Sequence, residues 1–553
     1  MGENQVHNQS GPYQGMNLAE GDPLLMAELD GEVRDDSARD DLLAVGADAG
    51  ALPAQEMGRV ANELAPSLQQ YDAFGERVDR IVYHPAYHAL MRRGMDAGLH
   101  CAAVARQQGA RQANLQRARR FMIAGQVDAG HLCPLTMTNA AAEVLALDVP
   151  LYEAWQPALA SRIYDQRSLP VPYKQGVTLG MGLTERQGGS DLRQIESKAQ
   201  RSVGDSYILN GHKWFLSAPA SDAFLILAKV GDQVSCFLVP RLREDGSNNG
   251  LRLVRLKNKL GNHSNASAEL EILGAHGQLV GDVGRGIKSI MAMVTPTRLD
   301  CVLGAAATMR AAVARAVFHC RGRMSFGRKL VAQPLMQEVL GDMALDVAAV
   351  QAAAIHLAQD MDSVGGATLG AASQGRAKPA AAARLRILIP AMKYWACKLP
   401  VAVVGEALEC LGGNGYVEEH GLARLYREAP LNGIWEGSGN VIALDLVRAL
   451  AQEPEAFKSV LEGIGAGLGK AGPVSVAALR ALAEQASGDE RAARLLAEQL
   501  AMSFAGACLR RMTPDFIADA FCRSRLGGQW RGSYGMLAGG FDSRGIVDWL
   551  YPP

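Results

Sequence analysis

Excess charge of either sign is missing from this 553-residue chain: 56 Lys and Arg stand against 57 Asp and Glu. With a net charge of -1, nothing pulls it globally toward nucleic acid or anionic lipid, so such binding needs a local patch. Cys-x-x-Cys pairs are missing too. The nine cysteines are scattered, which fits reduced thiols in an intracellular compartment, and no metal centre is expected. Met1 to Asp30 is polar and acidic, without the basic start or sustained apolar stretch of a secretory signal or transit peptide. No apolar run is expected to cross a bilayer, and no repeat or low-complexity tract stands out. These absences describe a cytoplasmic, soluble protein. Its length allows roughly three or four domains.

The hydrophobic period divides the chain. Residues 1 to about 50 read as an irregular extension in which Leu24, Leu25 and Met26 could dock on the body. Up to residue 175 the pattern is mainly helical, as in Gly98 to Ala113 and Ala118 to Ala129, with apolar residues three and four apart. Over 176 to 286 short β-type runs take over. They are Val177 to Met181, Ser206 to Leu209, Phe224 to Ala228, Val234 to Val239 and Ala268 to Ile272, with turns such as Asn210-Gly211 between them. Residues 287 to 451 return to long helices: Thr297 to Arg321, Gln337 to Gln359, Ala377 to Cys397 and Ala402 to Leu411. A kink or break is predicted at Pro390. A linker near Glu453-Pro454 opens a last segment, 452 to 553. The predicted class is α+β, mainly α: a helical N-terminal domain, a β middle domain, a helical bundle and a helical C-terminal extension.

One segment carries chemistry more plainly than the rest. Ile434-Trp435-Glu436-Gly437-Ser438-Gly439-Asn440 sets a carboxylate between an indole and a run of small residues, just before the apolar stretch Val441 to Leu450. Beside a bulky aromatic a carboxylate loses hydration, and its pKa rises toward the range of a general base. The glycines let a backbone N–H approach a ligand closely. Taken alone, the segment reads more simply as a helix start, with Ser438 or Asn440 as N-cap and Glu436 solvated.

Upstream motifs change that balance. Met181-Gly182-Leu183-Thr184-Glu-Arg-Gln-Gly-Gly189-Ser190-Asp191 offers hydroxyls and the N–H groups of a Gly-rich turn. Asn210-Gly-His-Lys-Trp214-Phe215-Leu-Ser217 offers an indole that could stack on a flat ring, with a hydroxyl three residues later. Arg323-Met-Ser-Phe326-Gly327 and Leu411-Gly412-Gly413-Asn-Gly415 follow. In this order and on this domain pattern, the motifs resemble the acyl-CoA dehydrogenase family over roughly residues 80 to 450. The start Asn8-Gln-Ser-Gly-Pro-Tyr13, Tyr83-His-Pro-Ala-Tyr-His88, His131-Leu-Cys-Pro-Leu-Thr-Met-Thr138 and the C-terminal tail are similar to one branch, flavoproteins of the bacterial adaptive response to DNA alkylation. With that branch, the resemblance spans nearly the whole chain.

The resemblance implies a β-barrel-like middle domain and FAD lying between it and the bundle. It implies that Met181, Gly182, Leu183, Thr184, Gly189 and Ser190 form the flavin turn. Trp214 is implied to stack on the ring, with Phe215 beside it and Ser217 near N5. Ile434, Trp435, Gly437, Ser438, Gly439 and Asn440 run past the cofactor. Arg323, Phe326, Gly412 and Gly413 match positions at the nucleotide, some reaching it across a subunit contact in a homotetramer. Glu436 is the implied catalytic base, taking an α-proton from an acyl thioester while a β-hydride goes to flavin, with its own N–H polarising the carbonyl. A buried pair of Glu436 with Arg448 is the structural alternative. Trp435, Glu409 and His263 depart from the family pattern, which implies weak turnover of a small acyl-CoA of isovaleryl type.

The branch also implies that the tail binds double-stranded DNA through Arg510, Arg511, Arg523 and Arg525, with Arg531 and Trp530 or Tyr534 nearby. The residues by themselves read as a solvated face paired with Asp515 and Asp519. The implied function is a FAD-containing, DNA-binding protein that protects DNA during alkylation and inactivates alkylating agents. The alternative is a catabolic dehydrogenase of short or branched acyl-CoA.

Overall fold

The computed structural model describes residues 8–29, 34–202, 204, 206–364, 380–528, 532–537 and 540–553. Trp530 and Arg531, and the first residues of the helix expected from Ala377, lie outside them. The N-terminal extension is folded rather than irregular. Asp22 accepts from the N–H groups of Leu24 and Leu25 to cap the short helix Pro23–Met26, and both leucines are fully buried. Asp36–Gly50 is helical as well; its charged first half hides the apolar period that would announce it. A hairpin of β1 (Ser67–Tyr71) and β2 (Arg77–Val82) interrupts a region expected to be helical. Helices Pro85–Asp96, Ala113–Val127 and Leu132–Leu145 follow.

The middle domain adds β3 (Leu179–Gly182), β4 (Lys198–Arg201), β5 (Ser206–Ser217), β6 (Ala223–Val230), β7 (Gln233–Pro240), β8 (Leu251–Leu256) and β9 (Ser267–Leu279). They hydrogen-bond in the order β3-β5-β4-β6-β7-β9-β8, and the extra pairings β3–β6 and β5–β9 curl the sheet into a barrel. Leu209, Leu216, Phe224, Phe237 and Leu270 fill its inside. Asn210-Gly211 is a bulge inside β5 rather than a turn between strands. Gly211 has φ +151°, and a Cβ there would sit 2.3 Å from Ser197 Oγ, so only glycine lets the strands approach. A buried pair braces one end: Lys213 Nζ donates to Glu185 Oε1 (2.5 Å) and Leu227 O (2.7 Å). Burial lowers the Lys213 ammonium to about 8, although Glu185 opposes the shift.

The bundle is built on Gly286–Gly322, Pro334–Asp362, Ala380–Ala396 and Leu399–Cys410. Contrary to the expectation from the sequence, three helical stretches in this region are long and apolar enough to cross a membrane. Their apolar windows are largely buried against other parts of the protein (89%, 89% and 78%), which accounts for that composition. Pro390 lies inside a continuous helix and does not break it.

The expected linker is a single residue, Glu453, between Gly439–Gln452 and Pro454–Gly467. Helices Gly472–Gly488, Ala493–Met512, Asp515–Phe521 and Ser543–Leu550 complete the chain. The tail shares the bundle's core: Leu500, Phe521 and Ile546 belong to the same apolar cluster as Leu345 and Leu388 of the bundle. Arg310 on the long helix donates to Leu550 O (2.6 Å), pairs with Asp22 (3.3 Å) and stacks on Tyr551. Both chain ends are thereby tied to one guanidinium.

Candidate active site

Three long helices meet at the turn that carries Glu436. Its φ of +57° is in the left-handed region, which costs a non-glycine residue about 1–3 kcal/mol. Two cations hold the conformation. Lys393 Nζ donates to Trp435 O (2.7 Å) and to Gly437 O, and Arg298 Nε donates to Glu436 O (3.1 Å). Arg298 is itself fixed by Asp445 at 2.6 Å, which Arg386 also engages. Three consecutive carbonyls are thus turned inward. Among the described residues, the Glu436 N–H donates to no acceptor.

The carboxylate accepts from Thr297 Oγ1 at 2.8 Å. Burial pushes its pKa above the ordinary glutamate value, while the Thr297 hydroxyl, Arg298 and Lys393 pull the other way. The thiols of Cys133 and Cys301 feel its charge, and both are pushed up mainly by burial. Trp435 is half-buried against Cys301, Ala305 and Cys397, with Nε1 donating to Asn432 Oδ1 (2.8 Å). Ser438 is the N-cap of Gly439–Gln452, but its side chain makes no capping bond. Arg448 is exposed and forms no pair with Glu436.

A general base works in its ionised form, so reaction rate is expected to rise with pH through the Glu436 pKa, above the usual carboxylate range. Thr297→Val removes a bond to the carboxylate and raises that pKa further. The acidic limb of the rate profile moves to higher pH, by about one unit, as measured by flavin reduction under single-turnover conditions. An unmoved limb means that Thr297 does not tune the base.

The other wall is the barrel. β3 and β5 pair Met181 with Ser217 and Gly182 with Leu216, and Trp214 N–H donates to Thr184 O at 2.8 Å. Two motifs thirty residues apart become neighbours. Trp435 packs against the cluster that contains Met181, which links this wall to Glu436. A Cβ on Gly189 would lie 2.6 Å from Thr184 Oγ1, so glycine alone lets the turn close over the threonine. Leu183 and Thr184 are half-buried and Ser190 is exposed.

Trp214 is placed differently from expectation. The Lys257 ammonium lies 3.5 Å from its ring centroid, with Arg186 at 5.6 Å and Arg255 at 5.9 Å. Cations draw in around the electron-rich indole. Phe215, two residues before Ser217 on β5, is the more exposed ring, with only the same Lys257 ammonium near it, 4.6 Å from its centroid. Period-two alternation sets Phe215 and Ser217 on the same strand face.

These groups fit a flavin dinucleotide: hydroxyls at Thr184, Ser190 and Ser217, the exposed Phe215 ring, and the helix N-terminus Ser438-Gly439-Asn440, without a side-chain cap, for phosphate. Two cations that the sequence motifs do not reveal stand at that helix end. Arg494, from the C-terminal helix Ala493–Met512, donates to Asn440 Oδ1 (3.1 Å), and Lys398 Nζ lies 3.0 Å from where a Cβ on Gly439 would be. Among the described residues no cluster suits a metal ion.

Arg323 precedes a small hairpin, β10 (Met324–Ser325) and β11 (Arg328–Lys329), and Phe326 lies in its turn. The chain's own N-terminal segment occupies that ground. Arg323 donates to Asn8 O, while Asn8 exchanges two side-chain bonds with Met324 (2.9 and 2.8 Å). Asn414, in the Gly412–Gly413 loop, reaches Gln9 Oε1 at 3.2 Å. Phe326 is 97% exposed, with Tyr416 at 86% and Leu335 at 82%.

The model of the adaptive response protein AidB N-terminal domain matches residues 8–166; those of the acyl-CoA dehydrogenase middle and C-terminal domains match 180–274 and 284–451. The putative acyl-CoA dehydrogenase AidB of Escherichia coli (strain K12) is 40% identical over 525 residues, covering 94% of both chains. This chain belongs to the acyl-CoA dehydrogenase family. Its members are FAD-dependent oxidoreductases, and the chain is an AidB-like flavoprotein among them. Acyl-CoA dehydrogenase family member 11 of Caenorhabditis elegans is 31% identical over 408 residues, 72% of this chain and 64% of the relative. Among solved structures, C. elegans ACDH-11 in complex with C11-CoA superposes with TM-score 0.83 at 25% identity, covering 100% of this chain and 98% of that one. The Bd2924 apo-form gives 0.80 at 27% identity, covering 91% and 99%.

The tail arginines of this family member do not form one surface. Arg525, expected to contact phosphate, is buried: it pairs with Asp342 (2.7 Å) and Asp346 (2.9 Å) of the bundle, and Tyr534 donates to Asp346. Its π-helical turn, Cys522–Leu526, points it inward. Arg510 is engaged by Asp515 (3.2 Å) and Asp519 (2.5 Å). Arg511 and Arg523 are exposed, Arg523 over the Phe541 ring.

Proposed function

We propose that the chain oxidises a small acyl-CoA thioester at Glu436. The free N–H of Glu436 beside its own half-buried carboxylate carries this reading, and the C11-CoA complex of the similar ACDH-11 supports it. The N–H donates to the thioester carbonyl oxygen, stabilising the negative charge that develops there. The carboxylate takes the proton from the α-carbon. Bound FAD supplies the acceptor for the hydride leaving the β-carbon. Thr297 and Arg298 keep the base aimed, and Trp435 with Met181 excludes water from it. Anaerobic titration of the holoprotein with isovaleryl-CoA is expected to bleach the visible flavin band. Failure with every acyl chain from four to about eleven carbons overturns the reading.

A DNA-associated role in alkylation defence, in the cytoplasm, is the second reading. Exposed Arg511 and Arg523 and the near full-length similarity to AidB favour it. Truncation at Glu453 is a poor test because the tail shares the bundle's core. Arg511→Glu with Arg523→Glu is expected to lower affinity for duplex DNA about tenfold or more at low salt and to flatten its salt dependence. Mobility shifts equal to wild type count against it. Exposed Phe326, Leu335 and Tyr416 further suit a homotetramer contact, read by light scattering.

A further inference from the structure

One mouth of the barrel opens onto a cavity of about 660 Å³, within the size range of small-molecule sites. The barrel leucines Leu216, Leu251, Leu253 and Leu270 form its floor, and the β1–β2 hairpin and the helix Pro85–Asp96 contribute to its walls. Thr184, Ser217 and Glu436 do not line it, so it is separate from the flavin site. The Tyr83-His-Pro-Ala-Tyr-His88 motif, which the flavin chemistry leaves unused, faces it. Tyr83 and Tyr87 stack with centroids 4.1 Å apart, and His88 Nδ1 meets Tyr164 OH at 2.9 Å. Burial lowers the His88 pKa, so the imidazole adds no charge at neutral pH.

The wall carries five cationic side chains and three carboxylates, and each carboxylate is already satisfied. Asp79 holds Arg77 and the Leu253 N–H, Asp165 holds Arg167, and Asp222 holds Lys174 and the Thr178 N–H. Arg241 donates to neutral oxygens, Ser221 O (3.0 Å) and Ser168 Oγ (3.1 Å), and feels the Asp222 carboxylate without a hydrogen bond to it. The Arg80 side chain has no polar partner among the described residues. The Ser221 hydroxyl is buried without a partner. Unpaired buried polar groups are costly, and they mark where a ligand's polar end belongs.

We propose that this barrel-mouth cavity binds an aromatic carboxylate. Its ring lies between the Tyr87–His88 wall and the barrel leucines, and its carboxylate sits on Arg241 and the Ser221 hydroxyl, with Arg80 as the second cation. A planar ring matches a wall made of aromatic faces on one side and leucines on the other. A carboxylate is the group that a guanidinium with no carboxylate hydrogen-bonded to it holds by paired N–H bonds.

The probe is 2-naphthoate, titrated into the FAD-loaded protein and followed by calorimetry and naphthyl fluorescence. One saturable site is expected, with isovaleryl-CoA failing to displace the probe and Glu436→Gln binding it as wild type does. Arg241→Gln is expected to weaken binding about tenfold or more, and the uncharged 2-naphthamide to bind wild type equally poorly. Arg80 is exposed and its replacement cannot disturb the core, so Arg80→Gln checks the charge independently, with a loss of about threefold. Absence of saturable binding, affinity unchanged in both arginine variants, or displacement by isovaleryl-CoA each overturns the proposal.

Discussion

Glu436→Gln is expected to retain FAD with an unaltered visible spectrum and to lose flavin reduction by acyl-CoA by about 10²–10⁴-fold. The substitution removes the proton acceptor and little else. Glutamine can still accept from Thr297, and the backbone contacts of Arg298 and Lys393 do not involve the side chain. The N–H that would polarise a carbonyl is also retained. Ligand affinity should therefore survive while the chemical step fails, which anaerobic stopped-flow reduction and equilibrium binding separate. Reduction at the wild-type rate would move the base elsewhere in the chain.

Arg525→Met is expected to destabilise the fold by about 3–5 kcal/mol, because it leaves Asp342 and Asp346 buried without their cation. Burial already raises the Asp342 pKa, against the pull of Arg525. Without the guanidinium that rise grows, so the folded state binds protons more tightly than the unfolded one. The deficit should then shrink as pH falls toward 5 and widen as it rises. Urea denaturation of the variant across that range, beside Arg525→Met combined with Asp342→Asn and Asp346→Asn, checks both the size and the sign. A loss below about 1 kcal/mol, within the range of a surface pair, would show that the cluster is solvated.

The legible part of the site is the part encoded in short stretches. The Glu436 turn, which alone reads as a helix start, stands out once the upstream motifs are set beside it, and in the structure Glu436 is half-buried with burial raising its pKa. Thr297 and Lys393 could not be read in the same way. They lie on two other helices, and nothing in their local sequence distinguishes them from ordinary helical residues. The resemblance implies Trp214 as the stacking ring. The cations around it arrive from a turn and another strand, while Phe215 is the more exposed ring and shares only Lys257 with it. The tail arginines show the same limit: Arg525 and Arg511 look alike in sequence, yet one is buried on two aspartates and the other faces solvent.

The order of the domains and the β character of the middle one follow from the sequence, because hydrophobic period and turn chemistry act over a few residues. Only the tertiary structure decided how the carbonyls flanking Glu436 are held, which arginines are spent inside the fold, and that the tail shares the bundle's core. Those outcomes depend on residues far apart in the chain meeting in a low-dielectric interior, as in Lys393 with Trp435, 42 positions apart, and Asp346 with Arg525, 179 apart. Burial sets the strength of each charge there, and the sequence does not state burial.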